Sequence, residues 1–122
     1  MEERGRQLPH DFEAERSVLG AMVLDKEALH IGLARVSADD FYMQAHADIF
    51  RAIGQLSAEN IPVDTVTLAD TLRKAELLDA VGGIPALIDL SQSVSLTANI
   101  EAYCEIVKEK ATLRNLIRMS ET

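Results

Sequence analysis

The side chains of this 122-residue chain best suited to chemistry are its three histidines and their acidic neighbours: His10-Asp11, His30, and His46 with Asp48. Imidazole and carboxylate from several helices can hold a divalent cation and activate a bound water, so the set invites a helical metal-dependent hydrolase. The order of the residues argues against it. The His-Asp pair comes first, beside Pro9 at the mouth of a helix, and His30 sits in a segment bounded by charged residues. Nucleophilic catalysis would need Cys104 or a serine beside a histidine, but no strand-turn-helix elbow or glycine-rich oxyanion loop supplies the setting. Cys104, between Tyr103 and Ile106 in a helical pattern, reads as a half-buried apolar filler. No GxxxxGK[ST] occurs, and Gly82-Gly83 lacks the lysine of a phosphate-cradling loop. The sequence therefore assigns no catalytic, cofactor-binding or metal residue, and keeps the helical metal hydrolase as an alternative.

Lys108, Lys110, Arg114 and Arg118 gather near the C-terminal end, which would suit a nucleic-acid stripe. Glu101, Glu105 and Glu109 interleave with them at helical spacing, so the cluster reads as a solvated face with surface pairing. Charge supports this: 12 basic against 20 acidic residues give a net −8, a surface that repels phosphate. Direct nucleic-acid binding is not expected. The acidity serves solubility equally well, or an inhibitor or adaptor that presents carboxylates to a basic partner, though no motif supports the latter.

The elements that must position these residues are helices. A chain of this length supports one domain, burying about two-thirds of its unfolded surface. Apolar residues make up 48% but aromatics only 4%, with no Trp, so Leu, Ile, Val, Ala and Met must build the core. One cysteine excludes an internal disulfide. The first residues lack an apolar signal region and no stretch approaches the roughly 18 apolar residues of a membrane span, which makes a cytoplasmic protein the expectation.

Residues 1–10 read as a loose arm. Asp11 caps a first helix, with Glu13 and Glu15 in the turn favoured by its dipole and Val18, Leu19, Met22 and Val23 as its apolar stripe. Asp25 starts a second helix, Lys26 to Val36, and Ser37 to Asp40 has the outline of a capping box. Ala45, Ile49, Phe50, Ile53 and Leu56 mark the cleanest helix, with Phe41 and Tyr42 grouped as core. After the connector around Pro62, Asp64 or Thr65 caps another; its β-branched cluster Val63, Thr65, Val66, Thr67 has no partner strand, and Leu68 and Leu72 continue it at helical spacing. Gly82-Gly83 punctuates, Pro85 opens a helix through Leu90, and Ser91 to Leu96 is a hinge. Thr97 caps a last helix with Ile100, Tyr103, Ile106, Val107, Leu113, Leu116 and Ile117. That helix has no stop signal before Thr122 and its apolar positions occupy more than one face, so the chain is expected to be a fragment.

Several of these strings are specific in combination. The run Pro9-His10-Asp11-Phe12-Glu13-Ala14-Glu15-Arg16-Ser17-Val18-Leu19-Gly20 is followed in order by Asp39-Asp40-Phe41-Tyr42, His46, Ile49-Phe50, Pro62-Val63-Asp64, Thr67-Leu68, Gly82-Gly83, Ala98-Asn99-Ile100, Tyr103, Ile106-Val107, Glu109-Lys110-Ala111 and Leu113-Arg114. The ordered set closely resembles the N-terminal domain of DnaB-type bacterial replicative helicases, from about residue 8 to the last. It departs from the family at Ala86, where an aromatic is common, and at Ser95-Leu96-Thr97, where the family's hinge contains proline.

The resemblance implies an all-α fold: a compact head of about six helices over 11–96, then over 97–122 the first helix of a truncated helical hairpin. It implies an interaction domain of the hexameric helicase, forming the collar as a trimer of dimers and recruiting DNA primase at the replication fork. A helicase loader is a further implied partner. ATP and Mg would belong to a motor domain absent from this sequence, which is accordingly no enzyme alone. Glu13, Tyr103, Ile106, Leu113, Leu116 and Ile117 are the candidate interface residues. Leu113, Leu116 and Ile117 would equally well pack on the missing hairpin helix.

Overall fold

The computed structural model describes residues 7–92 and 99–121. Each helix begins where a short polar side chain can take up an orphan amide. Asp11 accepts from Ala14 N at 2.9 Å and starts α1, Phe12–Leu24. Asp25 ends α1 in extended conformation and, accepting from Ala28 N at 2.9 Å, also caps α2, Lys26–Arg35. A single residue thus makes the corner, and α2 packs back on α1 closely enough that a Cβ at Gly32 would collide with the Met22 side chain. Ser37 and Asp40 close the expected capping box around a 3-10 turn, Ala38–Asp40.

The next helix, α3, spans Gln44–Ala58. Its chain reverses through Asn60 in the left-handed region (φ 60°), with Ile61 N returning to Leu56 O at 2.9 Å. The β-branched cluster is helical: Asp64 and Thr67 cap each other at the start of α4, Thr65–Lys74, so Asp64 rather than Thr65 is the cap. Turns occupy Ala75 to Gly82. Gly82 and Gly83 both take positive φ, a region glycine enters at no steric cost, and α5, Gly83–Gln92, begins two residues before Pro85. The last helix, α6, spans Ile100–Ser120 and is capped by Asn99, which accepts from Ala102 N at 3.1 Å. The cap is therefore Asn99 and not Thr97, and Ser91 and Gln92, expected to open a hinge, belong to α5; the rest of that hinge, from Ser93 onward, lies outside the described residues, as do residues 1–6 of the arm.

The described residues thus form six α-helices and one 3-10 turn, with no strand, as the all-α reading anticipated. Helix α1 is the central element: α2, α3, α5 and α6 all pack against it, α2 and α6 also pack on each other, and α4 bridges α3 and α5. Val18, Leu19 and Met22 of α1 meet Ile53, Leu68, Leu72, Leu87, Cys104 and Val107 in one aliphatic core. Cys104 is fully buried rather than half-buried, and Tyr42, grouped with the core from sequence, is only partly covered.

Candidate functional site

Two of the three histidines, His10 and His46, lie at a polar junction where the start of α1, the 3-10 turn, the start of α3 and α6 at Arg114 meet. Its centre is Glu15, 1% exposed. Helix α3 has no side-chain cap of its own at Met43, and Glu15 reaches across to supply one. Its carboxylate accepts from Tyr42 N at 2.6 Å, Met43 N at 3.3 Å and His46 Nδ1 at 2.8 Å. An ionised carboxylate only accepts, so this contact requires the proton on His46 Nδ1. The His46 ring is buried beside Phe12 and Phe41, with centroids at 5.1 and 6.5 Å.

Around Tyr42 the junction continues into the chain upstream of α1. The His10 ring stacks on Tyr42 at 4.1 Å and donates from Nδ1 to Leu8 O at 2.7 Å. Arg114 of α6 lies 5.4 Å from the Tyr42 centroid, a cation-π distance, and donates to Pro9 O at 2.9 Å and Asp40 O at 2.7 Å. Burial lowers the pKa of its guanidinium, an effect opposed by Glu15 and Asp40. The Asp40 carboxylate accepts from Ser37 N at 2.8 Å and Lys108 Nζ at 3.0 Å.

Glu15 stands in the first turn of α1 as expected, but it is buried there and serves a distant segment. One sequence expectation is corrected: Arg114 is a buried bracket rather than part of a solvated basic face. Nothing in the local spacing signals either role, because the partners lie 27 to 105 positions away. Lys108 pairs with Asp40 while remaining exposed, as does Arg118 on the same helix.

The histidines are not assembled for metal chemistry. His10 stacks on Tyr42 and His46 lies beside Phe12, each bonded through Nδ1, His30 is exposed on α2, and no metal-holding group of His, Cys, Asp and Glu is found among the described residues. The glycine pair offers no phosphate cradle, because its amides are occupied: Gly82 N donates to Asp79 O at 3.1 Å and Gly83 N to Leu78 O at 2.8 Å. Burial pushes the Cys104 thiol up to about 11, so it stays protonated and inert at neutral pH.

The candidate interface residues divide between two places. Glu13 is exposed on α1, paired with Arg16 at 3.4 Å, which in turn holds Asp89 of α5 at 2.6 Å; Phe12 and Ile88 are exposed nearby in sequence. The other five lie on α6. Ile100, Cys104, Val107, Ala111 and Arg114 form its buried stripe. Tyr103, Ile106, Leu113 and Ile117 follow a second stripe at the same spacing, in which Tyr103 and Ile106 are partly buried against the core. Leu113 and Leu116 are open to solvent, and Leu116 is 56% exposed. Sequence reading missed Met119, three residues beyond Leu116 on the same face and 71% exposed; its helical spacing was the available signal. No described helix is long and apolar enough to cross a membrane.

The family model for the DnaB-like helicase N-terminal domain matches residues 7–109. The chain belongs to this family. It is 44% identical over 114 residues to the replicative DNA helicase DnaC of Bacillus subtilis, covering 93% of this chain and 25% of that protein. It is likewise 44% identical over 116 residues to the replicative DNA helicase DnaB of Mycobacterium leprae, covering 95% and 19%. The chain thus spans a quarter or less of these relatives. Among solved structures, the N-terminal domain of DnaB helicase from Mycobacterium tuberculosis superposes with a TM-score of 0.91 at 42% identity, covering 94% of this chain and 80% of that one. The corresponding domain from Helicobacter pylori, described with its interactions with primase, gives 0.73 at 24% identity, covering 88% and 84%.

Proposed function

We propose that this chain is the N-terminal interaction domain of a replicative DNA helicase: an assembly and docking module rather than the motor. The observation that carries this reading is the second seam of α6. A helix already buried along one stripe leaves Leu113, Leu116 and Met119 uncovered on another, and neighbouring exposed apolar side chains of this kind are what a contact surface presents. The seam serves self-association, through which six parent chains would form a ring as a trimer of dimers, and helices 97–122 would be the first arm of a hairpin after a head spanning 11–96. Primase docks on the resulting collar, in line with the primase interactions described for the Helicobacter pylori domain. ATP hydrolysis with Mg, strand separation and any contact with a helicase loader belong to the parent protein at the replication fork; the occupied amides of Gly82 and Gly83 support placing nucleotide chemistry elsewhere.

Sedimentation of the chain as it stands tests the reading. The parent sequence is expected to self-associate as concentration rises, and Leu116→Glu to remain monomeric with unchanged helix content. Titration of a primase C-terminal domain should then give heat with the parent sequence and less with Ile117→Asp. A monomeric parent that binds no primase overturns the proposal.

A further inference from the structure

We propose that the segment Leu8–His10 is a strap that holds the C-terminal part of α6 on the head and thereby controls how the outer seam is presented. The second half of this inference rests on the reading of that seam as a contact surface.

Three observations place the strap. Leu8 is buried although it precedes the first helix. His10 ties the segment into a turn through Leu8 O and lays its ring on Tyr42. Arg114, the last buried residue of α6, divides its guanidinium between a strap carbonyl, Pro9 O, and the 3-10 turn carbonyl, Asp40 O. Beyond Arg114 no described residue of α6 is buried, so the point at which the helix leaves the head is set by a polar bracket that the strap completes.

Upstream, α6 is held by different means: Ile100, Cys104, Val107 and Ala111 lie in the core and Lys108 pairs with Asp40. Removing the strap would therefore leave the first half of α6 in place. It would take from Arg114 one of its two acceptors and from Tyr42 its stacking partner. The loss is local, which separates a positioning device from general stabilisation. A short surface segment of this kind belongs to the low-stability end of a fold, where opening occurs without global unfolding, so a partner that displaced it would loosen the seam selectively.

Amide exchange on the dilute, monomeric chain reads this directly. In a chain lacking residues 1–10, peptides covering Ala111–Ser120 are expected to exchange about tenfold faster or more, while peptides of α3 stay within about twofold of the parent. His10→Ala should shift the same peptides in the same direction by less. Unchanged α6 exchange in a folded shortened chain, or α3 and α6 rising equally in both variants, overturns the strap. Should the shortened chain unfold, His10→Ala decides by the same ratio. Sedimentation of the shortened chain supplies the other arm: a loosened α6 with undiminished self-association overturns control of the seam. A parent that never self-associates overturns the reading of the seam instead, and the exchange result still decides the strap.

Discussion

The polar junction, which α6 enters through Arg114, and the far end of that helix are built on opposite plans. At the junction, Glu15, His46, Arg114 and Asp40 are buried with their hydrogen bonds satisfied, and no buried side-chain nitrogen or oxygen among the described residues lacks a partner. A few residues along, Leu116 and Met119 are apolar and open to water. Buried polar groups are costly unless every member of the network is paired, so the junction behaves as a unit that fixes where α6 sits. Exposed apolar groups cost little in the isolated chain and release free energy only when covered. The first region specifies the fold; the second carries the proposed contact.

The largest effect is expected where the comparison is sharpest. Glu15→Ala removes the acceptor of two backbone amides and of His46 from a buried site, and each buried donor left without a partner typically costs about 1–3 kcal/mol. Urea denaturation should show that loss, with Glu15→Gln retaining part of the stability because its carbonyl still accepts. A cost below about 1 kcal/mol would place Glu15 among ordinary surface acids and remove the contrast between the two regions.

What sequence could and could not reveal follows the same division. Helices were legible because their signals are local: Asp11, Asp25 and Asp64 are caps read from residue type, and Leu68 and Leu72 decide helix over strand for a β-branched cluster. The aliphatic face of α1 was legible for the same reason. The roles of Glu15 and Arg114 were not, since a glutamate in a first turn and an arginine among alternating charges have adequate local explanations. Only the tertiary arrangement brings them to Tyr42 and Asp40. Of the six interface candidates, Leu113 and Leu116 are exposed on α6 and Glu13 on α1, while Tyr103, Ile106 and Ile117 are partly covered.

An intermediate effect tests the core side of α6. The Cys104 thiol is raised by burial to about 11 in the folded chain, against about 8.5 for an exposed thiol. The folded state therefore holds this proton more tightly than the unfolded state does. Between those values the unfolded chain binds fewer protons, and stability falls as pH rises. The contribution is complete below about pH 8.5 and lost through pH 11. Stability curves of the parent and of Cys104→Val should diverge over that window, the valine chain falling less, and maleimide should label Cys104 only after denaturation. Rapid labelling of the native chain would mean that α6 opens along its buried stripe.

The smallest effect on stability is the most informative about the seam. Leu116→Lys places a charge where the side chain already faces water, 56% exposed, and substitutions away from buried features usually change stability by no more than about 0.5 kcal/mol. Thermal denaturation of dilute parent and variant should therefore nearly coincide. If the seam is covered on association, their midpoints must separate as concentration rises, because binding stabilises only the chain that can bind. Coincidence at low concentration and divergence at high concentration is a pattern that neither a core residue nor an idle surface residue produces. A midpoint lowered equally at all concentrations would assign Leu116 to the fold and erase its difference from the junction.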